Sequence, residues 1–212
     1  ILPLNSKTPT ATNKPFWRFE NSPDDGSAEL FLYGPIADTT WWGDEVSPKS
    51  FLNDLKALGT ISKLVVRINS GGGDVFAAQA IGNILETSGI ETECHIDGLC
   101  ASAATIVASH CKKVVSALDA TFMIHNPTLG MCDYFDETEL RTAADSLKTV
   151  RANILSVYQK KTGRELDELA AEMDATSWWT PTEAMERGFV DEIDQYEHVG
   201  QVENRAGMLF VN

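Results

Sequence analysis

Between Lys63 and Gly89 the sequence changes its period once. "KLVVRIN" is an unbroken apolar run too short for a helix, which predicts a strand buried on both faces. "VFAAQAIGNILETSG" then places Ala77, Ala80, Ile81, Ile84 and Leu85 at helical spacing, with Gly89 positioned to end the helix. The alternation continues in both directions. Upstream, "AELFLYGPI" (Ala28 to Ile36) suits a first strand, and "SPKSFLNDLKAL" carries Phe51, Leu52, Leu55 and Leu58 on one helical side. Downstream, "ETECHID", "KKVVSA" and "TFMIHNP" read as strands, and "GLCASAATIVAS" is a run of small residues following the first of them. Strand, helix, strand in repetition predicts an α/β fold with crossover connections.

The last third of the described pattern is helical. From Asp136, "DETELRTAADSLKTVRANILSVYQKKTG" carries Leu140, Ala144, Leu147, Val150, Ile154 and Val157 along one stripe. Asp136 with Glu139 forms a capping box and Gly163 a stop. The stripe suits packing on the chain's own core or against a neighbouring subunit. A second helix is predicted over Glu165 to Met173. A third is capped by Thr180, with Pro181 in its first turn, Glu183 closing the box and Gly188 ending it. Residues 1–27, rich in Pro, Thr, Asn, Ser and Asp, read as a loose arm, 28–193 as one domain and 194–212 as an acidic tail.

Composition narrows the function classes. The 212 residues carry a net charge of −14, which disfavours nucleic acid and anionic membranes as partners. No stretch is long and apolar enough to span a bilayer, and the N-terminal residues lack the basic and apolar regions of a secretory signal. Cys94, Cys100, Cys111 and Cys132 show no CxxC pairing, so free thiols in a cytoplasmic setting are expected. Cys94–His95 and His110–Cys111 match no usual zinc spacing, and no metal is expected.

Gly71, Gly72 and Gly73, between a strand and a helix, pose the chemical question. A P-loop would need a Lys where Asp74 and Val75 follow, and a dinucleotide fingerprint would need a third spaced glycine. A phosphate cradle is therefore rejected, leaving backbone N–H groups offered to a reacting carbonyl. Ser102, after a strand and at the start of a small-residue helix, could attack while the N–H of Ala103 and that of Gly73 hold the oxyanion. His125, at the end of "TFMIH", could serve as base. Taken singly, capping is the commoner role for such a serine, and a structural role for such a histidine.

"INSGGGDVFAAQAI", "GLCASAATIVAS" and "TFMIHNP", in this order, resemble the ClpP family of serine peptidases, as does the closing "WWTPTEAMERGFVDEI". The resemblance runs from about Ala28 to Ile193. It implies a ClpP/crotonase-like fold of repeated β-β-α units with a protruding handle helix. Ser102 would be the nucleophile, His125 the base and then acid, and Gly73 with Ala103 the oxyanion donors, with Gly72 the alternative to Gly73. Gly72 and Asp74 fall in the peptide-binding turn, where Gly71 replaces the family's Pro and Asp74 is inserted before Val75. Thr176 occupies the place of the housekeeping aspartate, so the third member is assigned to Asp174, with Glu172 as fallback. "FWRFEN", Asp74 and "MDATSWWTPTEA" are similar to the phage and prophage head-maturation branch. That branch implies a capsid or scaffold polypeptide as substrate, homo-oligomeric rings and a bacterial host cytoplasm. A degradative peptidase fed by a separate ATPase is the near alternative. A crotonase-like acyl-thioester lyase or hydratase, sharing the fold, is the distant one. The mechanism calls for no cofactor.

Overall fold

The structure, a computed structural model, describes residues 16–22, 26–36 and 48–194. Along the chain these form β1 (Trp17–Ser22), β2 (Ser27–Tyr33), α1 (Pro48–Ala57), β3 (Lys63–Ser70) and α2 (Val75–Thr87). There follow β4 (Glu91–Ala101), α3 (Ala103–Ser109), β5 (Lys113–Ala117), β6 (Thr121–Ile124) and α4 (Glu137–Thr162). The last elements are α5 (Leu166–Asp174), β7 (Ser177–Trp179), α6 (Pro181–Glu186) and β8 (Glu192–Asp194). Among the described residues no helix is long and apolar enough to cross a membrane.

The strands make one eight-stranded sheet in the order β1-β2-β3-β4-β5-β8, with β6 and β7 branching from it. β4 divides its length between two partners: Glu93 to Ile96 pair in parallel with β5, and Leu99 to Ala101 pair in parallel with β6. The change occurs around Gly98, where the β3–β4 register shifts and Asn69 Oδ1 accepts the N–H of Leu99 at 3.1 Å. Because β3, β4 and β6 all run the same way, their carboxyl ends meet at one edge, where open α/β sheets place their ligands.

The predicted elements form with four corrections. The arm holds a strand. In "WRFENS" Trp17 points inward, 4% exposed, packs edge-on against Phe51 and donates Nε1–H to Asp54 at 2.9 Å. The first predicted strand stops at Tyr33, and Ile36 makes only an isolated bridge to Gly73. β3 is not buried on both faces; its positions alternate between fully and half buried. Arg67 on the second face donates to Asp97 from Nε at 3.1 Å and from Nη2 at 2.5 Å, which leaves that face charged but paired. Finally, β7 and β8, three residues each, were not anticipated. The acidic tail lies outside the described residues beyond Asp194.

Of the two roles predicted for α4, packing on the chain's own core is seen at its C-terminal end. Its capping box and the left-handed Gly163 (φ 68°) stand as expected. Its buried residues, Ile154, Leu155 and Tyr158, lie in its C-terminal third, whereas Leu140 remains 52% exposed. Burying one such side chain contributes roughly 1.5–3 kcal/mol, against about 0.3–0.5 kcal/mol for an exposed pair such as Arg141–Glu137. The helix is therefore anchored at its end and projects from there. Ile154→Ala should lower unfolding free energy by about 2–4 kcal/mol, and Leu140→Ala by less than about 0.5 kcal/mol, as read by urea denaturation.

Candidate active site

Ser102 has a backbone that an ordinary helix cap does not need. Its φ of 55° and ψ of −126° lie in a region costing about 1–3 kcal/mol for a residue with a Cβ. Its side chain makes no cap hydrogen bond, so capping does not explain it. Its backbone is instead gripped on both sides. Ser102 N–H donates to Met123 O at 2.9 Å, and its carbonyl accepts from Thr105 N–H at 3.0 Å and Thr105 Oγ1 at 2.6 Å. The Thr105 hydroxyl in turn meets the fully buried Tyr158 hydroxyl at 2.6 Å. Several bonds worth about 1 kcal/mol each offset the strain.

His125 reaches the same point from the neighbouring strand. The β4–β6 register pairs Ala101 with Met123, so the residues that follow both strands leave the sheet together. Ser102 Oγ and His125 Nε2 lie 2.6 Å apart. With its proton on Nδ1, the imidazole can take the serine proton at Nε2. Burial holds its pKa below the ordinary histidine value, favouring the neutral form that a base requires.

The glycine turn lies against this pair. A Cβ on Gly72 (φ 88°) would stand 2.6 Å from Ala101 O and 2.7 Å from both Ala103 N and Ser102 Cβ. One on Gly73 (φ 144°) would collide with the carbonyl of Ile36. The two glycines differ in what their amides do. Gly72 N–H donates to Ser70 Oγ at 3.1 Å, and Ser70 Oγ–H donates to Gly34 O at 2.6 Å. Among the described residues the N–H of Gly73 has no acceptor. Ala103 opens α3, where an N–H has no acceptor within the helix. The Gly73 amide, unlike that of Gly72, is thus left without an acceptor among the described residues, as is the Ala103 amide within its helix.

Asp74 caps α2, accepting from Ala77 N–H at 2.7 Å. It also lines a cleft of about 540 Å³ whose walls include Ile36, Gly73, Phe76, Leu129, Leu147 and Val150. Burial pushes the Cys94 and Cys100 thiols up, which disfavours a thiolate at either.

The acidic candidates are placed less simply. Asp174, expected to orient the imidazole, does not touch it. Its Oδ1 accepts from Asn126 Nδ2 at 2.8 Å and from Arg151 Nη2 at 2.8 Å. Glu172 is turned to Arg164 (2.7 Å) and Arg187 (3.1 Å). Thr176, with φ 52°, uses its N–H on Met173 O at 3.2 Å and closes the turn after α5. Four residues of the neighbourhood escaped the sequence reading: Thr105, Asn126, Arg151 and Tyr158. Only Arg151 left a signal, a cation beside Val150 on an otherwise apolar stripe.

Two outcomes follow from this geometry. Nucleophile reactivity should rise with pH along an acid limb centred below the ordinary histidine value of about 6.5, since the lowered pKa leaves the base neutral at lower pH; labelling rates measured across pH 5–8 check this. Gly72→Ala should destabilise the fold by on the order of 3 kcal/mol and abolish that reactivity, as read by urea denaturation and labelling.

The sequence model of the family described as Clp protease matches residues 28–197. The ATP-dependent Clp protease proteolytic subunit of Streptococcus pneumoniae strain 70585 is 25% identical over 166 residues, covering 77% of this chain and 83% of that protein. Proteins of the same name from strains Hungary19A-6 and CGSP14 are 25% identical over the same extent. The glycine turn, the strained serine and the histidine all fall inside the matched segment, and the chain belongs to the Clp protease family of serine-type peptidases.

Proposed function

We propose that this chain hydrolyses peptide bonds with Ser102 as nucleophile and His125 as general base and then acid, and that Gly73 and Ala103 N–H groups hold the oxyanion. The observation that carries this reading is the 2.6 Å contact between Ser102 Oγ and His125 Nε2, made by a serine held in a strained backbone. His125 takes the hydroxyl proton as Oγ attacks the carbonyl carbon. The oxyanion forms between the two free amides, each such donor lowering the barrier by on the order of 3 kcal/mol. The imidazolium then protonates the leaving amine, and water repeats the steps on the acyl-enzyme. Asp174 is the acidic member of the site, standing beside the base through Asn126. Gly72 and Asp74 shape the turn along which the substrate lies, next to the apolar cleft.

The substrate is a polypeptide. The head-maturation likeness of "FWRFEN", Asp74 and "MDATSWWTPTEA" supports capsid or scaffold protein, processed by homo-oligomeric rings in a bacterial host cytoplasm. The name of the pneumococcal relatives supports a second reading, degradation coupled to a separate ATPase. A crotonase-like reaction is disfavoured, because acyl-thioester chemistry of that kind does not need a serine–histidine pair.

A fluorophosphonate probe should label Ser102. The label should be absent in Ser102→Ala and reduced by at least about a hundredfold in His125→Ala. Folded but unlabelled protein would overturn the peptidase mechanism. Intact-mass measurement after incubation with capsid or scaffold protein should show discrete cleavage products without nucleotide. Cleavage only in the presence of an unfoldase and ATP would favour the second reading.

A further inference from the structure

The His125 ring has one hydrogen bond among the described residues, to Ser102, and no hydrogen bond from a carboxylate orients its other nitrogen. The next residue uses both ends of its side-chain amide. Asn126 Oδ1 accepts from Arg151 Nε at 2.8 Å, and its Nδ2 donates to Asp174 Oδ1 at 2.8 Å. Arg151 Nη2 closes the triangle on Asp174 Oδ1 at 2.8 Å and also donates to Ala170 O at 3.1 Å. The three side chains come from the segment after β6, from mid-α4 and from the end of α5. They tie the chain immediately after the base to two helices.

The chemistry of each corner is specific. The Asn126 amide offers an acceptor to the guanidinium from Oδ1 and a donor to the carboxylate from Nδ2, on two separate atoms of one planar group. An aspartate at 126 would set a second anion against Asp174. Arginine's planar fork serves two partners in fixed directions, which a lysine ammonium does not. Pro127 follows directly and restricts both its own φ and the backbone of Asn126, so locking the Asn126 side chain also locks the peptide that carries His125.

We infer that Asn126 and Arg151 are positioning residues for His125, and that Asp174 acts on the base through them rather than by contact with the imidazole. This rests on the peptidase mechanism above. The triangle holds the backbone at 125–126, and the backbone aims Nε2 at the Ser102 hydroxyl.

The test is a double-mutant cycle on the full chain, read by fluorophosphonate labelling rate across pH, with melting temperature measured alongside. Asn126→Leu, Arg151→Met and Asp174→Asn should each slow labelling by roughly tenfold. The Asn126→Leu/Arg151→Met double variant should be no slower than either single one, because the corners act as a unit. Arg151→Lys should restore less than half of the lost rate. The acid limb should keep its midpoint in Asp174→Asn, since that carboxylate does not contact the ring. If Asn126→Leu fails to fold, Asn126→Asp and the Arg151 variants carry the same comparison. Undiminished labelling in folded Asn126 and Arg151 variants would overturn the inference and leave the peptidase mechanism standing. So would Asp174→Asn alone slowing labelling by a thousandfold or more with a displaced acid limb, which would indicate direct contact with His125. Absence of label on the unaltered chain would remove both.

Discussion

The site depends on a serine that cannot relax. A backbone at φ 55° and ψ −126° would drift toward ordinary dihedrals unless its neighbours forbade it, and three of its polar contacts do so. The strand partner takes its N–H, while Thr105 takes its carbonyl twice. Gly72, packed flush against residues 101 to 103, removes the remaining space into which the turn could open. The result is a hydroxyl held 2.6 Å from the His125 ring by a fixed backbone. Preorganisation of this kind is what makes backbone donors effective, since no reorganisation is required as charge develops.

That constraint reaches well beyond the edge of the sheet. Thr105 leans on Tyr158, and Tyr158 packs edge-on against Phe189 at 5.2 Å, in a cluster with Phe122 and Trp179. This aromatic cluster thereby joins the root of α4 to the carbonyl of Ser102. Asn126, the residue after His125, is tied to the middle of the same helix through Arg151. Two neighbouring stretches of α4 thus connect to Ser102 through Thr105 and to the residue after His125.

What was legible in the sequence is what local order encodes. Ser102, His125 and the glycines sit in short motifs at strand ends, and the helices α4 and α6 announce themselves through capping boxes that the structure reproduces. The β1 strand was hidden because its alternation spans only "WRFENS" between residues typical of loops. Strands as short as β7 and β8 are created by the neighbours they pair with and carry no period of their own. The Asn126–Arg151–Asp174 triangle was illegible for a different reason. Its corners are 23 to 48 residues apart, and each is an unremarkable polar residue until the fold closes them together. The direct Asp174–His125 contact was expected from family likeness alone, and likeness does not specify which donors compete for a carboxylate.

The branching of the sheet at β4 has an evolutionary corollary. Because one strand serves β5 with its first half and β6 with its second, the stretch around Gly98 works as a phase setter between scaffold and chemistry. Gaining or losing a single residue there would leave the pairing of Glu93 to Ile96 untouched and yet invert the facing of Leu99 to Ala101, carrying Ser102 to the wrong side. Length variation in this lineage should accumulate in the connections and spare those few positions.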